Sequence, residues 1–150
     1  MGDSKLVDHN RAYFDKLAAD YDTNPWQIEM TAKITAFIRD QLDFIGCNWA
    51  QPIRLLDYAC GSGMVTKALS TKIQEAIGLD VSSKMVDRYN DLLDPSSSIH
   101  NASGQDLHAH AIIGDLLTFE NPSSKLTSPD LFDFDLVAIG LGFHHFDSPS

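Results

Sequence analysis

Apolar positions in the first third of the chain recur at helical spacing. Tyr13, Phe14, Leu17, Ala18 and Tyr21 fall one, three and four apart, which predicts a helix over residues 10–22 with these side chains on one face. After a short break, Asn24 is placed to cap a second helix with Pro25 as its first residue, and Gln27 stands three past the cap, where a capping box wants it. Ile28, Thr31, Thr35, Ile38, Leu42 and Ile45 continue a helical stripe as far as Gly46, a natural stop. Two helices therefore precede any strand.

The pattern changes after Pro52. Residues 53–58 form a short apolar run that reads as a buried strand and leads into the glycine turn Ala59-Cys60-Gly61-Ser62-Gly63. A helix over 64–72 and a strand over 76–80, ending in the carboxylate of Asp80, come next. Ser82 caps a helix over 83–93, which stops before Asp94-Pro95 and the serines Ser96 to Ser98. A third strand covers 109–115, the loop 120–129 is polar, and residues 134–140 read as a fourth strand, almost wholly apolar as a strand covered on both faces would be. Strands alternating with helices imply right-handed βαβ units, hence an α/β fold with a doubly wound parallel sheet.

Composition narrows the class. With 150 residues, 43% of them hydrophobic, the chain suits one domain that folds without disulfide staples. Cys47 and Cys60 form no metal-ligand spacing, so the expected setting is a reducing one, the cytoplasm. His100, His108 and His110 read as surface loop residues with no closed ligand set around them. A net charge of −10 repels phosphate polymers and anionic lipid, which argues against a nucleic-acid partner. The longest apolar run, residues 136–143, is far short of the ~20 residues that span a membrane, and the first ten residues are too polar for a signal peptide.

Candidate chemistry gathers at the strand ends, where doubly wound sheets bind ligands. Gly61 and Gly63 occupy the first βα turn, where a Cβ would obstruct close backbone approach. Asp80 lies 23 residues after Asp57, near the ~20-residue interval at which an acid reaches ribose hydroxyls. Together they point to a nucleoside. A dinucleotide fingerprint would need a third glycine where Thr66 stands, which argues against NAD.

The stretch Leu55-Leu56-Asp57-Tyr58-Ala59-Cys60-Gly61-Ser62-Gly63 closely resembles motif I of the class I S-adenosylmethionine-dependent methyltransferases. Asp80, the step Gly114-Asp115-Leu116, and Phe134-Asp135-Leu136-Val137 running on to His144-His145-Phe146 resemble later motifs of that family in the same order. Phe14-Asp15-Lys16-Leu17-Ala18 and Tyr21-Asp22 are similar to the opening segment of its small-molecule branch, which includes the ubiquinone and menaquinone methyltransferases. The resemblance implies a Rossmann-like, mostly parallel sheet, with residues 1–50 as a helical lid segment and 51–150 as the donor-binding half of the domain.

It also implies residue roles. Asp57 would orient the methionyl amino group of the donor, S-adenosylmethionine, and Gly61 and Gly63 would line its methionyl part. Asp80 would take the ribose hydroxyls and Asp115 the adenine amino group. Met85 would pack on adenine, and the backbone of Leu116 would bond a ring nitrogen. Tyr13, Tyr21 and Trp26 would close over the donor. Ala59 stands where the motif often has glycine, so slight crowding is expected there. His144 and His145 are the candidates for a base or an acceptor contact. The acceptor would be a small molecule offering an O, N, C or S nucleophile. The family's strands after the fourth have no counterpart, so the chain reads as a fragment, a truncated gene model or a shortened paralogue. Fourth-strand edge pairing would then drive self-association, and activity of the chain alone would be weak. Two rival readings are a non-catalytic paralogue that binds donor or partner, and an NAD-dependent oxidoreductase.

Overall fold

The computed structural model describes residues 3–94, 104, 106–116, 124–142 and 145. Among these residues five α-helices, α1 (Asp3–Leu17), α2 (Pro25–Asp40), α3 (Leu42–Ile45), α4 (Met64–Leu69) and α5 (Ser83–Leu92), accompany four strands, β1 (Arg54–Tyr58), β2 (Glu75–Asp80), β3 (His108–Ile113) and β4 (Leu136–Ile139). The strands form one parallel sheet in the order β3-β2-β1-β4. All four predicted strands are present within one or two residues of their expected bounds.

Alternation along the strands divides the core. Leu55, Ala76 and Ala109 face α4 and α5, where Val65, Leu69, Val86, Tyr89 and Leu93 complete the main cluster. Leu56, Tyr58 and Leu79 face the other way, against Ile112, Leu126 and Phe134. Arg54 ties the lower end of the sheet together. Its Nε donates to Glu75 Oε2 at 2.6 Å and its Nη atoms to the carbonyls of Phe132 and Asp130 at 2.8 and 3.0 Å. Its backbone N–H meets Asp135 Oδ2 at 2.8 Å, which sets the register of β4 against β1.

Several expectations are corrected. The first helix begins at Asp3 and ends at Leu17, followed by a 3-10 turn over Ala18–Asp20, because its inner face is built from Val7, Asn10 and Phe14 and so extends about two turns further back than the expected start at residue 10. In α2 the Asn24 side chain does cap, accepting from the Trp26 N–H at 3.2 Å, but Ile28 is exposed and the inward stripe starts from Gln27. His108 and His110 lie in β3 on its exposed side, not in a loop, whereas His100 falls outside the described residues. β4 has one exposed side, with Val137 57% and Ile139 38% accessible, since no described helix covers that face. Among the described residues no helix is long and apolar enough to cross a membrane.

Candidate functional site

The period of β1 decides which way its last residues point. Asp57 shares the face of Leu55 and turns under α4, where it is 1% exposed and its Oδ2 accepts from both the N–H and the Oγ1 of Thr66, at 3.2 and 2.8 Å. Thr66 Oγ1 also lies 2.9 Å from the Tyr89 hydroxyl. Oδ1 of Asp57 is buried with no hydrogen-bond partner, and burial pushes the carboxyl up to about 7, against the lowering effect of the Thr66 bonds. Asp57 is thus a brace beneath the glycine turn, set back from the residues that line the cavity.

Above it the chain runs through three left-handed positions, Ala59 (φ 55°), Gly61 (φ 51°) and Gly63 (φ 87°), before α4 begins. This conformation strains an alanine and suits glycine. A Cβ on Gly61 would meet no atom within 4 Å, so its glycine serves the turn and leaves open the side from which it lines the cavity. Cys60, by contrast, is packed in the core, and burial raises its thiol well above the ordinary value, which makes it a poor nucleophile.

Asp80 closes β2 and couples two structures. Its Oδ2 accepts from the Gly61 N–H and its Oδ1 from the Ser82 N–H, both at 2.9 Å. Ser82 in turn caps α5 through the Met85 N–H. Burial raises the Asp80 carboxyl while the N–H groups of Ser82, Gly61 and Val81 lower it. Ser82, not Asp80, is thus the helix cap; Asp80 holds it through the Ser82 N–H and also lines the cavity.

Tyr58 points to the opposite sheet face from Asp57. Its hydroxyl donates to Asp115 Oδ1 at 2.7 Å and accepts from the Leu116 N–H at 3.1 Å. Asp115 lines the cavity, but the Leu116 N–H expected to meet a ring nitrogen is engaged by this phenol instead.

The N-terminal segment lies over these tips and is held by carboxylates. Asp15 accepts from the Ser82 hydroxyl at 2.6 Å and the Lys84 N–H at 3.2 Å. Asp22 accepts from the Ser62 hydroxyl at 3.1 Å and Arg88 Nε at 2.6 Å, and Arg11 Nε reaches the Val81 carbonyl at 3.1 Å. Between this cover and the strand ends is a cavity of about 860 Å³, within the ~300–1,000 Å³ range of small-molecule sites. Tyr13, Tyr21, Trp26, Ala59, Gly61, Asp80, Met85, Asp115 and His145 all line it. Burial raises the Tyr21 phenol, helped by Asp22 and Asp80. His145 sits at the end after β4, edge-on to the Phe14 ring at 5.1 Å, with its carbonyl accepting from Asn10 Nδ2. Its neighbour His144 lies outside the described residues.

Three participants were not read from the sequence as site residues. Asp15 and Asp22 sit in the segment quoted for its likeness, yet no local signal shows that they latch it. Lys67 lines the cavity from α4, and its position one turn past the glycine turn was the only available hint. Burial lowers its ammonium, with Asp22 opposing and Arg88 adding to that shift.

A methyltransferase domain family profile matches residues 56–150. An uncharacterized methyltransferase of Schizosaccharomyces pombe is 24% identical over 107 residues, which cover 71% of this chain and 34% of that protein. The chain thus spans about a third of its length. Among solved structures, Haemonchus contortus phosphoethanolamine N-methyltransferase 1 in complex with phosphoethanolamine and S-adenosylhomocysteine aligns over 98% of this chain and 28% of its own, with TM-score 0.65 and 16% identity. A Clostridium acetobutylicum S-adenosylmethionine-dependent methyltransferase aligns over 85% and 44%, with TM-score 0.53 and 21% identity. At these identities the structures speak for the Rossmann-like fold, and the profile speaks for the family: the chain belongs to the methyltransferase domain family.

Proposed function

We propose that the cavity binds S-adenosylmethionine and that the protein transfers its methyl group to a small-molecule acceptor. The observation that carries this reading is the bond from the Gly61 N–H to Asp80, which ties an open-sided glycine turn to a carboxylate at the neighbouring strand tip. That arrangement suits a nucleoside whose ribose hydroxyls donate to Asp80 while its chain passes along Gly61; Gly63, expected to line the same part, is not among the cavity residues, and a Cβ there would meet Leu93 and Tyr89 of the core instead. Thr66, fully buried and bonded to Asp57, stands where a dinucleotide fingerprint has its third glycine for close helix–strand packing, which favours this donor over NAD.

When bound, the donor supplies a methyl group already activated on a sulfonium. The chain's residues have to orient and enclose it. In this reading Asp115 accepts from the adenine amino group, Met85 lines the adenine pocket, and Asp57 acts indirectly by bracing the turn through Thr66. Tyr13, Tyr21 and Trp26 belong to the cover, latched through Asp15 and Asp22, which keeps water from the reacting centre. His145, with His144 beside it in sequence, is the residue best placed to contact the acceptor or take its proton. The net charge of −10 disfavours a polyanionic acceptor.

Calorimetric titration of the chain with S-adenosylmethionine and with NAD tests the donor, and heat from the first alone is expected. Radiolabelled methyl transfer into a small-molecule extract tests the reaction. Binding of NAD in preference to S-adenosylmethionine, or label found only in nucleic acid, would overturn the reading.

A further inference from the structure

We infer that Lys67 is the anchor for the donor's methionyl carboxylate, a specificity residue that makes the cavity select amino-acid-bearing nucleosides over bare ones. The inference rests on the donor reading above and starts from the charges around the cavity. Three of its described lining residues are carboxylates, Asp22, Asp80 and Asp115, and Lys67 is the one lysine or arginine among them. A sulfonium and an ammonium suit such a lining. A carboxylate does not, and needs a cation of its own where water is excluded.

Lys67 is that cation by geometry. The glycine turn runs from Asp80 at the tip of β2 back to the start of α4, so a ligand held by its ribose at Asp80 directs its other end toward α4. On α4, Val65, Thr66, Ala68 and Leu69 are buried in the core, which leaves Met64 and Lys67, three apart, as the cavity side of the helix. Side chains on a helix lean toward its N-terminus, which carries the Lys67 ammonium up toward the glycine turn. Opposite stand Gln27, Thr31 and Thr35 of α2, uncharged donors and acceptors that complete a polar recess without competing for the cation.

The ammonium is also unspent. Among the described residues, Lys67 makes no ion pair and its ammonium no hydrogen bond, while the nearby carboxylate of Asp22 is already engaged by Arg88 and Ser62. Its lowered proton affinity fits a cation partly stripped of water, which the nearby Asp22 offsets only in part and Arg88 further disfavours.

The test compares two ligands that share the thioether nucleoside and differ in the amino-acid head: S-adenosylhomocysteine, which carries the carboxylate, and 5′-deoxy-5′-methylthioadenosine, which does not. Dissociation constants are measured by calorimetry for the wild-type chain, Lys67→Met and Lys67→Arg. Lys67→Met is expected to weaken S-adenosylhomocysteine by about tenfold to a hundredfold, the usual loss for a bond to a charged group, and to leave methylthioadenosine within about twofold. Lys67→Arg should restore most of the loss. Equal binding of S-adenosylhomocysteine by wild type and Lys67→Met would overturn the inference, as would a parallel loss for both ligands, which marks a structural role. Failure of the wild-type chain to bind either ligand would instead overturn the donor reading on which this one stands.

Discussion

A Cβ built on Gly142 would lie 2.5 Å from the Cβ of Ala59, so the loop leaving β4 rests directly on the methyl group at the tip of β1. The alanine methyl thus fills space that only a glycine at position 142 leaves free. Ala59 also sits at φ 55°, where a Cβ is strained by about 1–2 kcal/mol. Gly142→Ala should destabilise the fold by about 1–3 kcal/mol through overpacking, and Ala59→Gly in the same chain should recover most of that loss. Urea unfolding of the two single variants and the double variant measures the coupling, and strictly additive effects would contradict the contact.

Asp80 is expected to dominate donor affinity. Asp80→Ala removes the acceptors proposed for the ribose hydroxyls and also releases Gly61 and Ser82. A loss of about 1.5–3 kcal/mol in binding, roughly tenfold to a hundredfold, is expected for S-adenosylmethionine. Circular dichroism on the same sample establishes whether the turn survives the change. An unaltered dissociation constant would remove Asp80 from the site.

The buried carboxyl of Asp57 makes stability depend on pH in a defined direction. Its pKa in the fold is about 7, against the ~3.9 of an unfolded chain, so the folded state holds the proton more tightly. The favourable contribution is complete below the unfolded value, declines as pH rises from there toward about 7, and is gone above it. Asp57→Asn cannot lose a proton and should therefore show a flatter stability profile over that interval. Chemical unfolding of both chains at several pH values supplies the comparison, and identical slopes would show that Asp57 does not titrate there.

The two borders of the sheet differ in protection. At β3 the side-chain amide of Asn90 pairs with both the N–H and the carbonyl of Ala111, at 2.7 and 3.1 Å, and so occupies part of the edge. At β4 the described residues offer no equivalent, and Val137 and Ile139 are exposed beside it. The isolated chain is expected to self-associate through β4, and Val137→Lys should reduce that tendency by placing a charge at the contact. Sedimentation at several concentrations would show it as a mass that rises with concentration in the wild-type chain; a monodisperse monomer throughout would exclude the edge as an interface.

The sheet and the glycine turn were legible in the chain because both are written locally: a strand needs only a few apolar residues in a row, and the Ala59 to Gly63 turn announces itself by composition. Asp80 could be placed because its spacing from Asp57 is a property of one βαβ unit. The direction of individual side chains was not legible in the same way. Asp57 and Tyr58 are adjacent, yet the pleat sends one under α4 to Thr66 and the other across to Asp115, and only the packed sheet shows which carboxylate is a brace and which faces the cavity. The latches of Asp15 and Asp22 join residues 40 to 69 positions apart, and they, the burial of Gln27 in place of Ile28 and the cavity position of Lys67 rest on contacts between elements that carry no local signature. Local pattern thus determined the elements and the chemistry available at their ends, while the tertiary structure decided which of those groups meet, since long-range contacts depend on how helices dock on the sheet rather than on the residues beside them in sequence.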